Sequence, residues 1–414
     1  MEFELQALTR PGKRMVELAE KHAADFAATA AENDRSGIFP VKNITALKKS
    51  GFTGAAVPEE LGGMGVSSVH DCIVAMNRLG RAEGSTPLAY VMHLSRTLGT
   101  ARALKRAITT GNSEVQKRSE DLLRKIGAGE IFIAVANSEP GANIRTSWTL
   151  ATKVDGGWLF NGSKTFATGS PAADLLAVRA RFKNETGEDR MGAAIVPVDR
   201  AGVEIKGNWN GLGMRASGSH DVVFTDYLVK DEEFSDIGEY GKFNAPFLAL
   251  GSVSSLGLTS IFLGIAESAH QIAIDAIKRR AGGPQYPMNQ VTAAENEIDL
   301  AVCRAMLSRA GQTVDDYHVE VEVLDSGPEE TNRRAFQMIK NSAIVKKFVM
   351  QTAGVIVDRS LTLYGGGGFV ANSHLARLYR DVRAGPFMQP WATNQAIELI
   401  GQVALGLDPN ELLF

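Results

Sequence analysis

Cysteine is nearly absent. The 414-residue chain holds only Cys72 and Cys303, too few and too far apart for a disulfide scaffold or a thiolate zinc site. Both read as reduced core thiols. Seven histidines fall on no metal-ligand spacing. An excess of charge of one sign is missing too. Lys and Arg number 44 against 47 Asp and Glu, a net charge of −3, which argues against a nucleic-acid or membrane-surface binder held by bulk charge. The opening MEFELQALTRPGKR lacks the apolar stretch of a signal peptide, and no run reaches the ~18 apolar residues of a membrane span. Familiar catalytic signatures are scarce. Gly365-Gly366-Gly367-Gly368 follows a helical pattern, so it is not a dinucleotide fingerprint. GLGMRASG (211–218) lacks the Gly-Lys-Ser/Thr of a P-loop, and GxSxG does not occur. With 44% hydrophobic and 22% charged residues, the expectation is a globular cytoplasmic enzyme.

The periodicity changes character twice. Up to about Gly129, apolar residues recur every three to four positions, as at Leu104, Ile108, Val115, Leu122 and Ile126, which predicts helices. From Ile131 the period becomes two. WTLATKV (148–154) alternates, Asp155-Gly156-Gly157 follows, and WLF resumes, a hairpin signal. ADLLAVRARF (173–182), MGAAIVPV (191–198) and DVVFTDY (221–227) are further strands. No helical pattern separates them, so an antiparallel barrel or sandwich is expected. From about Ala245 the helical period returns, with Asp325-Ser-Gly-Pro-Glu-Glu read as a turn between helices. The expected domains are 1–130 helical, 131–235 β and 236–414 helical, with a ligand cleft where they meet.

Polar clusters lie at the ends of the expected strands. SEPGAN (138–143) and NGSKTFATGS (161–170) gather hydroxyls, amides and turn residues. Together they suit a polar heterocycle whose edge needs several hydrogen bonds. His93, in the apolar run LAYVMHLSRT, reads first as a satisfied core histidine.

These segments, in this order, resemble the acyl-CoA dehydrogenase superfamily of flavoenzymes. The resemblance is carried by GFTGAAVPEELGGMG (51–65), EIFIAVANSEPGAN (130–143), GGWLFNGSKTFATGSPAADLLAVRAR (156–181), GLGMRASGSHDVVFTDYLV (211–229) and TLYGGGGF with ARLYRDVR (362–383). It implies N-terminal helices, a central β-domain and a C-terminal four-helix bundle. It also implies FAD and a homotetramer. The family's ring-edge contacts carry over onto Val135, Ala136, Asn137, Ser138, Phe166, Ala167 and Thr168. Phe166 takes the aromatic position against the ring and Thr168 that of the Thr beside it. Arg279 or Arg280 matches the Arg that reaches a neighbouring subunit's FAD pyrophosphate. Gly365 and Gly366 match the Gly-Gly of the FAD segment, and Thr362 stands where the family has Gln.

The pattern breaks at the base. The family's catalytic Glu stands nine residues after the Arg of the Arg-Asp pair, and counting from Arg380 gives Gln389, followed by Pro390. An amide is no base at neutral pH. The other family location matches LALGSVSSLGLTS (248–260), which holds no acid. RDVRAGPFMQP looks more like the flavin monooxygenases of this fold, where the Gln389 position is commonly His and a second active-site His falls near His93. Gln389 and His93 are therefore the catalytic candidates, and no metal is expected. The implied activity is oxidation or oxygenation of an acyl or aromatic-acid CoA thioester, using O2 or a flavin reductase. Two alternatives stand beside it. One is a plain dehydrogenase with a relocated base, such as Glu59 or Glu267, passing electrons to an electron-transfer flavoprotein. The other is a flavin-holding protein without turnover.

Overall fold

The computed structural model describes residues 3–323 and 327–411. The turn expected from Asp325 therefore lies partly outside the described residues. Five helices come first: α1 (Arg10–Ser36), α2 (Val41–Lys49), α3 (Val69–Ala82), α4 (Ser85–Thr110) and α5 (Ser113–Gly127). Capping residues set their ends. Thr9 accepts the Gly12 N–H at the start of α1, Ser68 accepts that of Asp71 at α3, and Asn112 that of Val115 at α5.

Eight strands follow: β1 (Ile133–Ala136), β2 (Leu150–Val154), β3 (Gly157–Ala167), β4 (Leu175–Lys183), β5 (Asp189–Pro197), β6 (Val203–Ile205), β7 (His220–Lys230) and β8 (Phe234–Glu239). They form one sheet in the order β6-β7-β3-β2-β4-β5-β8, with β1 beside β4. The expected hairpin is present: Val154 pairs Gly157 across Asp155-Gly156, and Gly156 has φ +75°. The sheet corrects the antiparallel expectation in two ways. First, β1 runs parallel to β4, and β2 touches β4 in parallel at Leu150↔Arg181. The irregular segment 137–149 makes that return without a helix. Second, the end strands β6 and β8 pair only inward, so the sheet is open. Strand β8 also runs past residue 235; its sequence FSDIGE carries too little alternation to be read as a strand. Trp158, Phe182 and Phe234 pack one face, with ring centroids 4.4–5.1 Å apart.

The chain then returns to helix in α6 (Ala245–Arg279), α7 (Pro287–Val323), α8 (Pro328–Tyr364), α9 (His374–Val382) and α10 (Thr393–Ala404). Helix α6 is apolar and long enough to cross a membrane, with a mean hydropathy of 1.8, but 89% of that window is buried within the protein. It is the central core helix. Glycine lets α3 approach it closely: a Cβ on Gly80 would stand 2.5 Å from the Ile261 carbonyl oxygen, and one on Gly264 2.5 Å from that of Asn77. Cys72 and Cys303 are free and buried.

Candidate active site

Two strand ends carry the platform residues singled out above, and the loop bearing Gln389 starts from a segment tied to the β-domain. Strand β1 ends at Ala136, and the Thr165 N–H donates to the Ser138 carbonyl at 2.8 Å. That bridge brings Asn137 and Ser138 beside the end of β3, where Phe166, Ala167 and Thr168 lie. Phe166 is held at φ +55°, yet its ring is 61% exposed. A bulky residue adopts that left-handed conformation only where its surroundings over-determine it. The Phe166 ring meets the edge of Trp209 at 5.9 Å. The hydroxyls of Thr168, Ser219 and Ser217 form a chain, with spacings of 2.9 and 2.7 Å.

These residues fit a flavin ring edge. The Asn137 Oδ1 is shut off from solvent with no hydrogen-bond partner. An orphaned buried acceptor calls for an external donor, and a flavin edge carries one. Ser138, Phe166, Thr168 and Asn137 thus meet at one place. Val135 and Ala136 stand behind them, in register with Ala177 and Val178.

A buried ion pair stiffens this corner. Lys164 lies 2.6 Å from Glu139, both almost fully buried. Glu139 also accepts from the Ser147 and Thr149 hydroxyls and the Trp148 and Thr149 N–H groups. Burial alone would raise the Glu139 pKa, but Lys164 and these donors hold it below the usual carboxylate range.

Gln389 is exposed on the loop after α9. The buried Lys346 ammonium donates to the Met388 and Pro390 carbonyls, each at 2.6 Å, and so grips the backbone on both sides of Gln389. Trp391, next along, is buried at φ +56° with an unpartnered indole N–H. The start of this segment is tied to the β-domain. Asp381 accepts the Met214 N–H at 2.6 Å, and Trp209 donates to the Met214 carbonyl at 3.0 Å. A Cβ on Gly213 would stand 2.1 Å from the Arg380 carbonyl oxygen, so only glycine permits this contact. The ring platform and the Gln389 loop are thus anchored through the same few residues.

His93 does not join them, and the catalytic role expected for it is corrected here. Its ring is fully buried and stacked on Phe132, with centroids 5.0 Å apart. Nδ1 accepts the Ile133 N–H at 3.0 Å and Nε2 donates to the Thr53 carbonyl at 3.0 Å. Both nitrogens are committed, and burial lowers the pKa to about 4, so the ring is neutral. Neither relocated base is better placed. Glu267 is buried and bound by Arg81, Arg304 and Asn77, while Glu59 is exposed on the 55–65 loop.

The cofactor-phosphate candidates gather elsewhere, at one exposed corner. Arg280 Nη2 donates to the Tyr364 carbonyl at 3.0 Å, beside Gly365 at φ +89° and Gly366, where a Cβ would meet nothing within 4 Å. Arg279 is exposed next to Arg280 and Thr362 lies one turn back on α8. Among the described residues, no cluster of three His, Cys, Asp or Glu could hold a metal. Sequence reasoning missed Trp209, Ser219 and Lys346. Trp209 and Ser219 flank GLGMRASG and were legible as part of a loop, whereas Lys346 gave no signal.

Models of the acyl-CoA dehydrogenase N-terminal, middle and C-terminal domains match residues 12–125, 133–227 and 256–388. The amino sugar nitrososynthase RubN8 of Streptomyces rubradiris is 36% identical over 402 residues, covering 97% of this chain and 92% of that one. The structure of KijD3 in complex with FMN and dTDP-3-amino-2,3,6-trideoxy-4-keto-3-methyl-D-glucose superimposes with a TM-score of 0.88 at 31% identity, covering 99% and 97% of the two chains. The FMN-bound monooxygenase TdsC from Paenibacillus sp. A11-2 shares the fold, with a TM-score of 0.81 at 24% identity over 95% and 97%. The chain belongs to the acyl-CoA dehydrogenase family and is a flavin-dependent oxidoreductase.

Proposed function

We propose that the protein is a flavin-dependent N-oxygenase that oxidises the amine of an amino-sugar nucleotide to a hydroxylamine and onward to a nitroso group. The observation that carries this reading is Gln389. Where the family pattern puts its carboxylate base, this chain has an amide, and neither His93, Glu59 nor Glu267 is placed to substitute. A thioester α-proton therefore has no acceptor. An amine needs none of that chemistry, and relatives matched over nearly their full length are nitrososynthases of amino sugars.

Reduced flavin, when bound, supplies the electrons that activate dioxygen. In each oxidation step one oxygen atom goes to the amine nitrogen, and the other leaves as water with two electrons and two protons; the dihydroxylated nitrogen formed in the second step then loses a further water to give the nitroso group. The chain's residues do the positioning. Phe166 and Trp209 would wall the ring, and Asn137 Oδ1 would accept from its edge. The Thr168–Ser219–Ser217 hydroxyls hold a proton near it. The Gln389 carbonyl accepts from the substrate amine, while Lys346 fixes the loop that presents it.

Two forms of flavin suit the site. The Arg280–Gly365 corner favours FAD, provided a second subunit presents its cofactor there, whereas the KijD3 complex holds FMN. A homo-oligomer follows from the same corner and from the exposed apolar residues Ile298, Val302, Ile344, Phe348 and Val355 on α7 and α8. The activity is tested by mass spectrometry of a dTDP-amino sugar incubated with the protein, NAD(P)H and a flavin reductase under 18O2. The expected product carries labelled oxygen on nitrogen. Unchanged substrate, with flavin reoxidised only to hydrogen peroxide, would defeat the reading.

A further inference from the structure

Two arginines face the start of α6, and neither has a free acid partner. Arg96 stands three residues after His93, which holds Ile133, and three before Gly99, where a Cβ would lie 3.1 Å from Leu250. Leu250 is one turn along α6 from the Phe247 ring that Arg179 covers. Arg179, on β4, lies one step beyond the Ala136↔Val178 pair and so beside Asn137. Its guanidinium stacks over the Phe247 ring at 5.1 Å and donates through Nη1 to the Ile144 carbonyl at 3.0 Å, leaving Nε buried without a partner. Arg96, on α4, is barer still. It is part-buried, its Nε is shut off from solvent, and among the described residues its guanidinium meets no carboxylate, carbonyl or ring. Burial holds both guanidiniums down to about 10, and Arg179 is lowered further by the charge of Arg96. Glu139, the acid that acts on Arg179, is already neutralised by Lys164 at 2.6 Å. The corner therefore keeps two uncompensated positive charges. Such an arrangement is unfavourable in an empty protein and marks a functional position.

We propose that Arg96 and Arg179 form a seat for a phosphoryl anion, and that its occupant is the diphosphate of the sugar-nucleotide substrate. This rests on the N-oxygenase reading for the identity of the substrate, but not for the existence of the seat. A guanidinium fork pairs with phosphoryl oxygens bidentately, and two forks in one corner match two linked phosphoryl groups. Stacking on Phe247 fixes the plane of Arg179 before the ligand arrives, which lowers the ordering entropy lost on binding. The seat adjoins the ring edge at Asn137, so an anion held there would place the attached sugar next to the ring.

The test is calorimetric titration of the flavin-loaded protein with inorganic pyrophosphate, dTDP and thymidine, and of the flavin-free protein with FMN and riboflavin. Wild type is compared with Arg96→Gln, Arg96→Lys and Arg179→Gln. Each Gln variant should weaken dTDP and pyrophosphate binding by about 10- to 100-fold and leave thymidine and riboflavin unchanged, with Arg96→Lys intermediate. Thermal melting guards against misfolding: removing an unpaired buried charge should leave Arg96→Gln no less stable than wild type without ligand, and pyrophosphate should raise the melting temperature of wild type alone. Unchanged dTDP and pyrophosphate affinity in both Gln variants overturns the seat. Loss confined to FMN, with dTDP unaffected, overturns the substrate diphosphate as its occupant and assigns the seat to the flavin phosphate. Loss of dTDP binding in a protein that oxidises no amine leaves the seat standing and refutes the N-oxygenase reading instead.

Discussion

His93→Phe separates a histidine that builds the site from one that works in it. Phenylalanine keeps a ring of similar size stacked on Phe132, so little packing is lost. What it removes are two hydrogen bonds inside the protein, from the Ile133 N–H at 3.0 Å and to the Thr53 carbonyl at 3.0 Å. Each buried backbone group left without a partner costs about 1–3 kcal/mol, so the loss should total roughly 2–6 kcal/mol. A chain of several domains need not unfold in one step. The readout is therefore the first thermal transition, expected to fall by several degrees. Ile133 opens β1, so that transition should report separation of α4 from the sheet. His93→Asn, whose amide oxygen can stand near Nδ1, should recover part of the loss. Amine oxidation per flavin-loaded molecule, measured well below the transition, should change less than about threefold, whereas removing a general acid or base typically costs about 10²–10⁴-fold. A drop of 100-fold at an unaltered melting temperature would refute the structural role and restore His93 to the catalytic set.

Acid should destabilise the protein through the same residue. Burial lowers His93 to about 4, and also His318 to about 3 and His374 to about 4. Between these values and the ordinary 6.5 the unfolded chain binds more protons than the native one, so stability rises with pH through that window and is lost as pH falls from 6.5 towards 4. His93 alone accounts for about 3 kcal/mol in full, of which about 2 kcal/mol is lost between pH 7 and pH 5, and urea melts at those two pH values should differ by about that much, with a smaller difference in His93→Phe. Lys346→Met deletes the ammonium that grips the Met388 and Pro390 carbonyls and should lower kcat for amine oxidation by about 10- to 100-fold with flavin affinity unchanged; equal kcat in wild type and variant would show that the Gln389 loop is held by other contacts. Light scattering should find a flavin-loaded homo-oligomer, and a monomer would remove the role given to the Arg280 corner.

Periodicity reveals elements that obey one rule over many residues. The β2–β3 hairpin is legible because alternation on both sides flanks Asp155-Gly156, a pair suited to positive φ. Strand β1 is not, because four residues of IAVA show no alternation, and its parallel pairing with β4 is made by an irregular return that carries no pattern. The Phe166–Thr168 platform is legible as a polar cluster and through its family likeness, while its left-handed backbone is a tertiary fact. His93 shows the opposite difficulty. Its apolar helical surroundings point correctly to a satisfied core residue, and the likeness to a monooxygenase pattern points the other way. Arg96 and Arg179 escape notice because one arginine in an apolar helix or strand reads as a solvated edge; only the fold shows that the nearby acid, Glu139, is already paired with Lys164.

The central claim is that this site lacks a proton acceptor for thioesters and acts on an amine instead. The most direct measurement is anaerobic mixing of the protein, loaded with oxidised flavin, with a panel of saturated acyl-CoAs, followed by flavin absorbance, in wild type and in Gln389→Glu. Wild type should stay yellow with every thioester, and a carboxylate at 389 should permit bleaching if the loop aims it correctly. Rapid bleaching of wild type by any acyl-CoA would contradict the account, because it would require a base that neither Gln389 nor His93 can supply.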